Sequence, residues 1–357
     1  MDNHEILCKI RERMPAEMDA VLVENPVHQY YLSGFNFCDG HVVIGREKAW
    51  LFTDFRYIEA ANGSAAARDF EIFDKSAISF LHSTLQNEGV KNLGYEDRYM
   101  TVDALQKTRI AMPGMNFLPI GDLIEGQRRF KTDAERECIR RAQAITDAAF
   151  AHILNFITPE RTETEIALEL EFFMRKNGAE RASFDIICVS GKKSSLPHGE
   201  PENRRLEPGF LTMDFGCTYK GYCSDMTRTV ATGAVDGEMR RLYDTVCRAQ
   251  ELALEYIDWH KSCFEADRIA RDYINQNGYE GAFGHSLGHG VGLYIHENPR
   301  LSPACKPQDI LEDGDVVTCE PGIYLAGKYG VRIEDMVLIH DGGAEAITRS
   351  PKELIIL

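Results

Sequence analysis

The chain has 357 residues, 44% hydrophobic and 27% charged, enough to bury two ordinary cores without disulfides or a structural metal. Fifty-six acidic residues against 40 basic ones give a formal charge of −16, which repels phosphate backbones and anionic lipid and argues against nucleic-acid and membrane partners. No apolar run approaches the roughly 18 residues of a spanning helix, and the ten cysteines include no C-x-x-C pair, so a cytoplasmic protein with reduced thiols is expected.

In chain order, residues 21–23, 41–44, 49–52 and 92–95 are short β-rich runs, with helical stretches near 77–85 and 103–109 between some of them. That alternation predicts a small α/β domain over residues 1–125. The polar stretch Glu125-Gly126-Gln127-Arg128-Arg129 marks its boundary with a second domain over 126–357. There Thr132 and Glu135 have capping-box spacing. Ile139, Ala142, Ile145, Ala149, Ile153 and Phe156 then recur every three or four residues, predicting a long amphipathic helix. Thr162 and Glu165 repeat the start signal, with an apolar face at Ile166, Leu170 and Phe173 and a stop at Gly178. Further helices are expected through 239–253 and 265–275, and strands at 185–189, 210–218, 223–231, 316–325 and 331–339. Helices beside antiparallel strands give an α+β class for this larger domain. A short internal repeat relates the segment ending in Asp214-Phe215-Gly216 to the one ending in Glu320-Pro321-Gly322, which suggests two pseudo-symmetric halves.

Both repeats place a carboxylate in a strand followed by a hairpin. With the first turn centred on residues 219 and 220, Asp214 and Asp225 lie directly opposite; centred on Lys220 and Gly221, they are diagonal neighbours. Either way two like charges meet, which is destabilising without a cation between them. Glu320 and Glu334 lie symmetrically about Gly327, as an odd-numbered loop requires. Four such carboxylates suit two hard or borderline cations. A histidine should complete the set, and His285, His289 and His296 form the densest histidine run in the chain. His285 and His289 have zinc-protease spacing, but Ser286 replaces the required glutamate, and Gly288, Gly290 and Gly292 favour loop and strand over helix. Gly191-Lys192-Lys193-Ser194 imitates the tail of a phosphate-binding loop, yet Lys193 stands where serine or threonine is needed.

The ordered set Asp214, Asp225, His289, Glu320 and Glu334 resembles the dinuclear site of the pita-bread metallopeptidases. The surrounding text, Leu-Pro-His198-Gly, Gly-His289-Gly-Val-Gly, Glu320-Pro-Gly-Ile-Tyr and Val-Arg332-Ile-Glu334-Asp, is most similar to Xaa-Pro aminopeptidases and Xaa-Pro dipeptidases (prolidases). Tyr31-Leu-Ser-Gly-Phe35 and Leu51-Phe-Thr-Asp-Phe-Arg-Tyr57 resemble landmarks of the creatinase-like α/β domain that precedes the catalytic domain in those enzymes. The resemblance implies a pseudo-two-fold catalytic domain, an antiparallel sheet with helices outside, and a homodimer. It also implies two divalent ions that activate a water, manganese ahead of cobalt, zinc or iron. Asp225 and Glu334 would bridge the ions, and Asp214 and His289 would each serve one. Glu320 would bind metal and handle the water's proton, with His198 and His296 assisting the intermediate and the leaving nitrogen. His285 would border the proline pocket, and Arg332 would orient carboxylates. The expected activity is Xaa-Pro aminopeptidase on proline-containing peptides, because residues 297–308 carry no obvious closing insertion. Arg300 or Lys306 would instead fix a dipeptide's carboxylate in a dipeptidase. Metal-free creatinase and non-catalytic binding modules share the fold but lack this ligand set.

Overall fold

Among the described residues, six strands and six α-helices build the first part of the chain. The strands are β1 (Ala20–Val23), β2 (His41–Gly45), β3 (Ala49–Phe52), β4 (Glu71–Phe73), β5 (Asn92–Tyr95) and β6 (Asn116–Pro119). The helices are α1 (Asn3–Arg13), α2 (Pro26–Ser33), α3 (Ile58–Asn62), α4 (Ile78–Asn87), α5 (Val102–Ala111) and α6 (Glu125–Arg128). The computed structural model describes residues 3–357 and separates into two units, the first ending at Arg128 and the second spanning Arg129–Leu357. In the first unit the sheet order is β4-β3-β2-β1-β5-β6. Strands β1, β2 and β3 are antiparallel, while the β1–β5, β5–β6 and β3–β4 pairs are parallel.

One helix here was not drawn from the sequence, and one polar stretch reads differently in the structure. Residues 3–13 mix charged and apolar side chains, yet Ile6, Leu7 and Ile10 fall on one side of a helix and are buried, so α1 forms. The polar stretch at 125–129 is largely the helix α6, in which Gln127 and Arg128 are buried, Gln127 accepting from Arg13 Nη1 at 3.4 Å.

The second unit repeats one plan. Helices α7 (Asp133–Ile153) and α8 (Glu163–Lys176) precede β7 (Arg181–Ala182), β8 (Ile187–Ser190), β9 (Gly209–Phe215), β10 (Cys217–Tyr219), β11 (Tyr222–Cys223) and β12 (Met226–Thr232). Helices α9 (Gly237–Tyr256) and α10 (Cys263–Ile274) then precede β13 (Gly288–Gly290), β14 (Glu297–Leu301), β15 (Val316–Cys319), β16 (Gly322–Leu325), β17 (Tyr329–Arg332), β18 (Asp335–His340) and β19 (Gly343–Ala346). The main sheets run β12-β9-β8 and β14-β13-β15-β18-β19. Both α7 and α8 start with complete capping boxes, at Thr132/Glu135 and Thr162/Glu165.

The period of two along each strand separates core from site. In β9, Leu211, Met213 and Phe215 join the core under α7 and α8, whereas Thr212 and Asp214 point the other way. In β15, Val317 and Cys319 join the core under α9 and α10, leaving Thr318 and Glu320 on the opposite face. Burying a side chain of leucine size contributes about 1.5–3 kcal/mol, so these outer faces fix the register of both sheets. The inner faces meet through polar groups: Thr227 Oγ1 donates to Glu334 Oε2 at 2.7 Å, and Thr229 Oγ1 to the Arg332 carbonyl at 3.0 Å.

The four long strands expected around the hairpins are each broken. Residues 210–218 break at Gly216, 223–231 at Ser224-Asp225, 316–325 at Glu320-Pro321 and 331–339 at Ile333-Glu334. At Gly216 the cause is close backbone approach, since a Cβ there would lie 1.9 Å from the Ser224 carbonyl oxygen. At Pro321 the missing N–H ends the ladder. The strand expected at 185–189 begins two residues later, as β8. Among the described residues no helix is long and apolar enough to cross a membrane.

Candidate active site

Two hairpins carry the carboxylates. In the first, Tyr219 pairs with Tyr222 around Lys220 (φ 47°) and Gly221 (φ 78°), the double positive φ of a tight two-residue turn. Of the two registers open from sequence, this is the second. Asp214 pairs with Thr227, two residues beyond Asp225, so the two aspartates are diagonal neighbours. In the second, Leu325 pairs with Tyr329 across a three-residue loop containing Gly327 (φ 73°). The Cys319–Asp335 and Gly322–Arg332 pairs bracket Glu320 and Glu334, which therefore lie opposite each other.

The third contribution comes from β13. Gly288 packs so tightly on β15 that a Cβ would lie 2.0 Å from the Thr318 carbonyl oxygen. His289 Nε2 lies 3.3 Å from Glu320 Oε1 and 3.6 Å from Asp225 Oδ2. His289 Nδ1 donates to the Gly290 carbonyl at 3.0 Å, which turns Nε2 toward the carboxylates. Potential ligand atoms of Asp225, His289 and Glu334 all lie within 4.8 Å of one another.

Charge makes the arrangement unfavourable on its own. Three buried carboxylates and the half-buried Glu320 face one buried guanidinium, Arg332, whose Nη2 donates to Asp214 Oδ2 at 2.6 Å. Burial, then Asp214 and Glu320, pushes Asp225 well above the carboxylate range; burial, then Asp225, does the same to Glu334. Asp214 is also raised, by burial against the pull of Arg332. Burial acts on Glu320 too, but the His289 hydrogen bond and nearby cationic groups outweigh it and hold Glu320 down to about 2. Asp214 Oδ1 is buried without a partner. Aggregated carboxylates, an imidazole nitrogen aimed at them and an orphaned carboxylate oxygen together fit divalent cations.

The nine metal-ligand and catalytic candidates named from sequence line one cavity of about 1090 Å³: Asp214, Asp225, His289, Glu320 and Glu334, with His198, His285, His296 and Arg332. Burial lowers His285. Its Nδ1 donates to the Ser286 carbonyl at 2.8 Å, so its Nε2 accepts from Tyr324 Oη at 3.0 Å. Tyr324 Oη in turn accepts from Arg332 Nη1 at 2.8 Å. His296 stacks edge-on to His289, with ring centroids 4.3 Å apart. Burial, with His289 and Arg300 adding to it, brings His296 down to about 4.

Sequence reasoning gave no role to Tyr324 or Thr227 and left Arg300 undecided with Lys306. Thr227 was within reach of period-two logic, since it lies two residues after Asp225 on the same face. Arg300 was not, because its direction depends on pairing opposite His289, next to a β-bulge. Directly opposed residues share a face, so Arg300 lines the cavity with His289, whereas Lys306 does not line it.

The model of metallopeptidase family M24 matches residues 137–341, and that of the creatinase/prolidase N-terminal domain matches residues 7–130. A Bacillus subtilis relative described as the uncharacterized peptidase YqhT is 42% identical over 343 residues, 95% of this chain and 96% of its own. The solved structure of an Xaa-Pro dipeptidase from Bacillus anthracis superposes with a TM-score of 0.94 at 41% identity, covering all of both chains. That of an X-Pro aminopeptidase from Thermotoga maritima gives 0.91 at 34% identity, covering 97% of this chain and 99% of the other.

Proposed function

The chain belongs to metallopeptidase family M24, and we propose that it hydrolyses the Xaa-Pro bond of short peptides, with Xaa-Pro dipeptides as preferred substrates. The carrying observation is the convergence of Asp225, His289 and Glu334 at the floor of a cavity that also contains His198, His296 and Arg300. Asp214, Asp225, His289, Glu320 and Glu334 would hold two divalent ions, manganese first. Bound there, the ions supply Lewis acidity toward a water molecule and the scissile carbonyl.

The chain's own groups do the rest. Glu320, kept ionised, accepts the attacking water's proton. His198 and His296 have no hydrogen-bond partner among the described residues and both face the cavity, free to donate to substrate. His296 titrates near 4, so it is a neutral imidazole at neutral pH, suited to donate its N–H to the developing oxyanion. His198 delivers a proton to the leaving proline nitrogen, which carries no hydrogen of its own in the peptide. Arg332 and Tyr324 hold Asp214 and His285 in place.

Arg300 favours dipeptides: a guanidinium beside the reaction centre can pair with the free carboxylate of a C-terminal proline. The name of the Bacillus anthracis relative points the same way. The aminopeptidase reading stands second, supported by the cavity's size, just above the roughly 300–1,000 Å³ usual for small-ligand sites. Hydrolysis of Xaa-Pro against Xaa-Pro-Yaa, with metal content measured on the same sample, tests both readings. Faster turnover of tripeptides would establish the aminopeptidase, and full activity in metal-free protein would remove the metallopeptidase mechanism.

A further inference from the structure

His198 sits on a segment with no regular sheet pairing, after a 3₁₀ turn at Gly191–Ser195, and its ring has no hydrogen-bond partner among the described residues. Its position is therefore set by the backbone that carries it. That backbone is gripped from below by Glu163, the first residue of α8, a fully buried carboxylate. Glu163 Oε1 accepts from Ser190 N at 2.8 Å and Ser190 Oγ at 2.9 Å; Oε2 accepts from Glu202 N at 3.1 Å and Lys193 Nζ at 3.2 Å. Lys193 Nζ also donates to the Glu200 carbonyl and pairs with Glu202 Oε1 at 2.8 Å. One carboxylate thus ties residues on both sides of His198, eight before it and four after it, with the lysine as cross-brace.

We infer that Glu163, with Lys193, is a positioning residue for His198, holding the loop so that the imidazole meets the scissile bond. Four donors converge on a carboxylate with no solvent exposure, a costly arrangement unless every lone pair is used. The second half holds its own histidine-bearing segment by the same device. Buried Asp267 accepts from Leu287 N at 2.9 Å, and its partner Arg271 donates to the carbonyls of Phe283 and His285, each at 2.7 Å. The carboxylate–cation pair straddling a cavity histidine therefore occurs twice in the unit, once in each half. A sub-ångström to 1 Å displacement of a reacting group costs up to about 100-fold in rate.

This inference rests on the role proposed for His198, so the experiment separates the two. Glu163→Gln, His198→Ala and the double variant are compared for kcat and KM on an Xaa-Pro dipeptide, metal content and thermal melting. Glu163→Gln turns one acceptor into an amide facing two donors. It should keep its metal, leave KM nearly unchanged and lose kcat roughly 10- to 100-fold. The double variant should be no slower than His198→Ala alone, because a residue acting only through His198 has nothing left to position. Wild-type kcat in Glu163→Gln, or losses that multiply in the double variant, would overturn the inference alone. Normal turnover in His198→Ala would remove the role of His198 and the inference with it. If Glu163→Gln does not fold, Lys193→Met and Lys193→Met/His198→Ala decide by the same criteria.

Discussion

His289 and His296 are seven residues apart and their rings touch, yet their surroundings assign them different work. His289 is locked by a hydrogen bond from Nδ1 to its neighbour's carbonyl, with Nε2 aimed at carboxylates. His296 has no such lock and titrates low. His289→Ala should therefore lose metal, as should Asp225→Asn, whereas His296→Ala should keep metal and lose turnover by about 10²-fold. Metal analysis and kinetics on the same preparations check this, and equal metal loss in both histidine variants would undo the division. Arg300→Ala should raise KM for dipeptides far more than for tripeptides, while Lys306→Ala should change neither. A uniform loss across substrate lengths in Arg300→Ala would leave Arg300 a general electrostatic element. The residues that converge on the cavity were legible from order and spacing because acids and histidines seldom crowd into hairpins without a reason. Arg300 and Glu163 were not. The direction of one comes from strand pairing beside a bulge, and the partners of the other come from two stretches on either side of His198.

At the scale of elements, the helices of the second unit followed their caps closely, because a capping box and an apolar stripe are local signals. The strands did not. β-propensity runs straight through Gly216, Asp225, Glu320 and Glu334, but the ladder stops at or beside each of them. The reason is tertiary: at Gly216 the Ser224 backbone comes too close for a side chain, Pro321 withholds its donor, and the Glu334 N–H turns to the Thr227 carbonyl at 3.1 Å. Interrupted pairing is what lets a strand residue turn its carboxylate toward a shared point. Gly288→Ala tests how tightly this is built. A methyl 2.0 Å from the Thr318 carbonyl oxygen would force β13 off β15. The expected cost is about 1–3 kcal/mol of stability, with weaker metal binding because His289 is carried by the same strand. Denaturant melts and metal titration measure both, and an unchanged variant would show that the strand yields freely.

Over the whole second unit, Asp214 and Asp225 come from one half and His289, Glu320 and Glu334 from the other, joined by contacts such as Arg332–Asp214 and Thr227–Glu334 that span more than 100 positions. The pseudo-symmetric plan was visible as a short repeat, while the seam between the halves was not, since no local pattern encodes such distant pairs. Asp225 is raised by burial, Asp214 and Glu320, and Glu334 by burial and Asp225. In metal-free protein they therefore bind protons more tightly folded than unfolded. The stability this gives is complete below the unfolded carboxylate value, about 4, and is lost as pH rises through the folded values. Melting of metal-free protein should fall over that rise, less steeply in Asp225→Asn, and saturating divalent ions should abolish the fall. Equal slopes in the wild type and Asp225→Asn would show that these carboxylates do not govern it. The division of the proposed ligands between the halves also bears on the protein's lifetime. In a newly made chain without ions the crowded acids should make this seam the first place for the halves to part and admit a protease. A loaded chain is favoured by mass action, and the advantage grows with free ion concentration. Cellular abundance should then follow the supply of divalent ions as well as the rate of synthesis, and starved cells would clear the empty chains first.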